Sequence, residues 1–120
     1  MKQPLVHHRD QTPSIDCPFG HVQRIVTGGE GGVANVHVVK ITKGAPHVHT
    51  GYDEVYYVLS GTGTITLGED AYPLRPGSVT VIPAGVPHSL EARPGEELEF
   101  IIFGTPPMAI DDDRAKPKKV

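Results

Sequence analysis

Two histidines and a glutamate fall within eight residues of one another at His47, His49 and Glu54, in a stretch rich in β-formers that runs from Pro46 to Gly61. Successive side chains of an extended strand alternate faces, so His47 and His49 project from one face, close enough for a single metal ion to bridge, while Val48 points away. Thr50, Gly51, Tyr52 and Asp53 carry turn chemistry, after which Glu54 opens a second strand. In that strand Glu54, Tyr56 and Val58 share one face, and Val55, Tyr57 and Leu59 take the other. The turn therefore returns a carboxylate to the two imidazoles.

A further imidazole follows Gly77 to Pro87, where a short apolar strand ends in a Pro/Gly-rich turn and His88 begins the returning strand. Three neutral imidazoles and one carboxylate suit a divalent first-row ion such as Fe, Mn, Zn or Ni, and on an octahedral ion they leave two positions open. Open positions are what catalytic metal sites keep.

These two stretches resemble the paired motifs of the cupin superfamily. The first, His-x-His, a short gap, Glu, six residues and Gly, is matched by His47, His49, Glu54 and Gly61, with four residues in the gap. The second, Gly, five residues, Pro-x-Gly, two residues and His, is matched by Gly77, Pro83, Gly85 and His88. Two positions depart: Ile41 stands where the family often has Gly, and Ala92 where it often has Asn; neither removes a ligand. The resemblance implies an all-β fold, the double-stranded β-helix or jelly-roll-like barrel of the cupins, with His47, His49, Glu54 and His88 as metal ligands, and it carries the expectation of a homodimer.

The elements that must position these residues are short strands. The chain has 120 residues, enough for one domain with a real core, and its 14 Gly, 12 Pro and absence of Trp describe many strands joined by tight turns. A net charge of −3 without a basic run in the folded part gives no electrostatic footprint for nucleic acid, which leaves a small-molecule substrate or ligand as the expected partner. The lone Cys17 has no intrachain disulfide partner and reads as an inert thiol. No stretch has membrane-spanning length and the first residues hold no apolar signal core, so a cytoplasmic location is expected.

In chain order, residues 1–20 read as an extended arm lying over the barrel or on a neighbouring subunit, residues 21–105 as the barrel, and residues 106–120 as a solvated polar tail. Strands are expected over 21–27, 33–41, 54–60, 64–67, 78–82, 88–92 and 98–104, with a short edge segment at 72–74 and a flexible glycine turn at 28–32. In the second strand Asn35, His37 and Val39 share a face; they line the cavity if that face looks inward and are solvated if it does not. The strand through Phe100 and Phe103 is apolar on both faces, as one buried between layers would be, and either aromatic could wall the pocket. Gly61 is expected to take a positive φ.

The fold hosts unrelated chemistries on one metal site, so its presence alone does not fix the reaction. The sequence points to a metal-dependent enzyme, a dioxygenase or an isomerase or lyase, acting on a small oxygen-rich molecule, with Tyr56 and His37 as the candidate catalytic residues. The alternative is a non-catalytic module that binds or senses a metal or a sugar-like ligand. No recognisable motif sets a lysine or serine beside a histidine as a nucleophile, which leaves covalent catalysis without support.

Overall fold

The computed structural model describes residues 4–17, 20–30, 32–109, 112–113 and 116–120. Parts of the arm (1–3, 18 and 19), of the glycine turn (31) and of the tail (110, 111, 114 and 115) lie outside the described residues.

The strands are β1 (Ile15–Cys17), β2 (Gly20–Val26), β3 (Asn35–Ile41), β4 (His47–Val48), β5 (Asp53–Ser60), β6 (Gly63–Leu67), β7 (Asp70–Leu74), β8 (Val79–Ile82), β9 (His88–Ala92), β10 (Leu98–Thr105) and β11 (Lys118–Lys119). All pair antiparallel, in two sheets ordered β1-β2-β3-β10-β5-β8 and β11-β4-β9-β6-β7. From β3 to β6 and again from β7 to β11 consecutive strands alternate between the sheets, as a double-stranded β-helix requires. The inner faces meet in one core: Val39, Ile41, Val58, Leu98 and Phe100 from the first sheet pack against Ile65, Leu74 and Leu90 from the second. Burying a side chain such as Ile65 or Leu98, both within 1% of full burial, is worth about 2 kcal/mol each. No helix among the described residues is long and apolar enough to cross a membrane.

Turn chemistry sets the strand exits. Gly61 has φ +86°, and a Cβ there would run into the Glu97 carbonyl, so the bend out of β5 depends on glycine in both conformation and space. The glycine turn closes as a single 3-10 turn over Gly28–Glu30.

Two segments differ from the sequence expectation, and a third takes one of the two placements the sequence left open. Strand β10 lies centrally between β3 and β5, yet only Leu98, Phe100 and Ile102 of its large apolar residues face inward; Phe103 is 37% exposed, because a sheet covered on one side alternates burial even along a largely apolar strand. Residues 9–17 lie over the barrel. Strand β1 pairs with β2, and Arg9 reaches Glu99 at 2.7 Å and Gln23 at 2.8 Å, the guanidinium holding the Glu99 carboxyl below its usual range. The C-terminal residues, expected as a solvated tail, fold back: Met108 is buried, its N–H donates to Asn35 Oδ1 at 3.2 Å, and β11 pairs with β4 beside His47. An apolar side chain at Met108 and backbone donors left free after the last core strand are the physical reason.

Candidate metal centre

The three histidines converge from two strand pairs. His47 lies directly opposite His88 where β4 pairs with β9, and His49 follows two residues on, on the same face. The second motif's loop is fastened to the first. Gly85 N–H donates to the His49 carbonyl at 2.7 Å, and Ala84 N–H to Asp53 Oδ1 at 2.8 Å. Gly85 sits at φ +88°, which explains why the turn before His88 needs a glycine there.

The outward ring nitrogens are all occupied. His47 Nδ1 lies 3.1 Å from the Ala45 carbonyl and His88 Nδ1 3.0 Å from the Val86 carbonyl. A carbonyl only accepts, so each Nδ1 carries a proton, and in that tautomer the Nε2 lone pair is the one turned inward. His49 Nδ1 meets the Tyr52 hydroxyl at 3.0 Å, and a phenol oxygen can accept from Nδ1–H, which leaves the same tautomer open to His49. One ligand atom from each of the three buried imidazoles lies within 4.8 Å of the other two, a spacing that could hold a metal ion.

Glu54 is 3% exposed and faces this cluster, its Oε1 3.3 Å from His88 Nε2 and 3.5 Å from His49 Nε2. The Tyr56 hydroxyl joins them, 3.3 Å from Glu54 Oε1 and 3.1 Å from His88 Nε2. One phenolic proton thus lies between a carboxylate oxygen and the His88 lone pair, and so electron-rich a buried cluster fits a cation at its centre. Burial first and the Glu54 charge second raise the Tyr52 and Tyr56 phenols above their ordinary range, so both remain protonated. Burial also drives His47 down to about 4, so it is neutral and able to ligate at physiological pH.

The cluster opens on a cavity of about 190 Å³ walled by Val22, Val39, Ile41, Leu90, Phe100, Ile102 and Met108. Of the two candidate aromatics, Phe100 lines it. His37 and Asn35 face inward, which settles the strand's orientation left open by alternation. Asn35 Oδ1 ties Gly28 N–H at 3.0 Å to Met108, a structural duty, whereas His37 Nε2 is buried without a hydrogen-bond partner.

Sequence reasoning missed two residues. Tyr52, assigned to a turn, is buried and orients His49. Arg24, which lines the pocket, shares the inward face of β2 with buried Val22; an arginine in register with inward apolar residues was the available signal.

The comparisons agree with this architecture. An uncharacterised protein of Streptomyces coelicolor is 39% identical over 62 residues, 52% of this chain and 55% of its own length. A second, from Methanocaldococcus jannaschii, is 30% identical over 66 residues, 55% of this chain and 53% of its own. The chain thus spans about half the length of the curated relatives it matches. Among solved structures, a protein from Planctomyces limnophilus superposes with a TM-score of 0.79 at 28% identity, covering 90% of this chain and 93% of that one. The polyketide cyclase RemF from Streptomyces resistomycificus gives 0.75 at 20% identity, over 100% and 86%. Ectoine synthase from P. lautus gives 0.74 at 22%, over 88% and 80%. The cupin domain family model matches residues 34–104, both histidine motifs included, and the chain belongs to the cupin domain family.

Proposed function

We propose that this chain is a metal-dependent enzyme performing acid–base chemistry, an isomerisation or an elimination, on a small oxygen-rich molecule. The observation that supports this reading most is the convergence of three inward Nε2 atoms at the wall of an apolar cavity, next to proton carriers. In this reading His47, His49 and His88 hold the ion with Glu54 as the fourth ligand. When bound there, a divalent ion supplies Lewis-acid polarisation of a substrate oxygen. Tyr56, a neutral phenol between Glu54 and His88, donates a hydrogen bond or a proton to that oxygen. His37, lowered to about 4 mainly by burial and further by Arg24, is neutral, and its unpartnered Nε2 is left for the substrate on the far side of the cavity. Two of the solved neighbours are named as enzymes, a cyclase and a synthase, which is consistent with such chemistry on this fold.

The test is metal analysis of protein purified without chelator, followed by turnover of a panel of hydroxy acids, diols and 2-oxo acids under anaerobic conditions. About one divalent ion per chain, and turnover with Zn(II) or Mn(II) in the absence of oxygen, is the expected result. Turnover that requires Fe(II) and consumes oxygen favours the dioxygenase reading instead. Ligand-dependent stabilisation without turnover by any metal form favours the binding module.

A further inference from the structure

The register of the first sheet places five inward residues in one row: Arg24 on β2 opposite His37 on β3, His37 opposite Ile102 on β10, Ile102 opposite Tyr56 on β5, and Tyr56 opposite Thr80 on β8. The first four line the same cavity. At about 4.8 Å per strand step, the backbone at Arg24 is about 14 Å from that at Tyr56. The row therefore reads, from one side of the cavity to the other, cation, neutral imidazole, aliphatic, phenol beside the histidine cluster.

The two groups at the far end are unsatisfied. Arg24 makes no hydrogen bond or ion pair with any described residue, although other basic groups nearby are engaged, Arg9 and Lys40 with Glu99 and Lys116 with Asp113. His37 Nε2 is buried and unpaired. The buried imidazole nitrogen is costly to leave without a partner, and the half-buried guanidinium beside it is an unpaired cation at the cavity wall; a ligand would complete both. Burial of the arginine stem against the barrel accounts for its position but not for the neighbouring orphaned nitrogen.

We propose that Arg24 and His37 form an anion-binding subsite across the cavity from the histidine cluster, so that the molecule bound there has two ends: an oxygen-donor head at the histidines and a carboxylate tail on Arg24. The inference rests on reading this cavity as the substrate site. A carboxylate matches the planar guanidinium fork with two parallel hydrogen bonds, and one negative charge balances the guanidinium, the unpaired cation among the described residues that line the cavity. A phosphate dianion would leave excess negative charge in a cavity that already contains Glu54. The apolar wall between the two ends, Val39, Phe100 and Ile102, selects a short hydrocarbon linker.

The subsite is separable from the metal, and so is its test. Chelator-treated protein is titrated calorimetrically with hexanoate and with hexanamide, which share shape and differ in charge. The wild-type chain is expected to bind hexanoate at least about tenfold more tightly than hexanamide; Arg24→Gln should erase that preference, and Arg24→Lys, which keeps charge but not the fork, should retain part of it. Equal binding of the two probes to the wild-type chain, no hexanoate binding at all, or an unchanged preference in Arg24→Gln overturns the subsite. Thermal melts of both variants verify that each is folded. In metal-loaded protein, 2-oxoadipate should bind at least about tenfold more tightly than 2-oxohexanoate, and this ratio should fall to near one in Arg24→Gln. A ratio near one in the wild-type chain overturns the two-ended ligand. Failure of the metal reading would appear separately, as protein that carries no ion yet still prefers hexanoate.

Discussion

At the scale of single residues, the centre depends on how each imidazole is held. His49 is oriented by Tyr52 alone among the phenols, so Tyr52→Phe should leave all three ligands in place while weakening metal affinity about tenfold, the usual range for an outer partner. Competition with a fluorescent chelator reads this directly; unaltered affinity would mean that the tyrosine merely packs. His49→Ala and His88→Ala should each lose the copurifying ion, and metal content unchanged in both would sink the site as drawn. Glu54 and Tyr56 separate binding from chemistry. Tyr56→Phe should retain the metal but lose roughly 10²-fold or more in turnover, since it removes the proton donor and no ligand.

At the scale of elements, the site is two loops fastened together, and the fastening is testable. Asp53→Ala removes the acceptor for Ala84 N–H in the loop that delivers His88, and should cost about 1 kcal/mol of stability together with a loss of metal affinity, measured by denaturant melts and chelator competition. Stability falling with no change in affinity would show that the loop is positioned by its backbone alone. The four histidine and glutamate positions were legible in the sequence because their spacing is local: strand alternation carries His47 to His49, one turn separates them from Glu54, and a Pro/Gly turn delivers His88. Arg24, Tyr52 and Met108 were not legible in the same way. Arg24 matters only through its pairing with His37 and, through β10, with Tyr56, and Met108 only through Asn35, 73 residues distant in sequence. Strand order in a barrel of this kind is non-local, so a residue read as strand or tail gains its role from partners that periodicity does not name. The same reason explains why His37 could be placed on a face but not on the inner one.

At the scale of the whole molecule, folding and metal binding are linked through protonation. His37 and His47 are both held near 4 in the folded chain, principally by burial, against an ordinary value of 6.5. Above pH 6.5 both are neutral whether the chain is folded or unfolded, and they add no pH dependence. Between 6.5 and about 4 the unfolded chain takes up protons that the folded chain refuses, so the metal-free protein should lose stability as pH falls through this window, and these two groups should add nothing further below it. A bound ion should add stability on top, on the order of 10 °C in Tm at a hundredfold excess over Kd, because it binds only the assembled histidines. That increment should itself shrink toward pH 4, where protons compete for the same lone pairs. Melts of chelator-treated and metal-loaded protein at pH 8, 6 and 4.5 measure both effects. If the metal-free Tm stays level across the window, the two imidazoles are solvated rather than buried; if the metal increment is the same at every pH, the ion is held by groups other than the histidines.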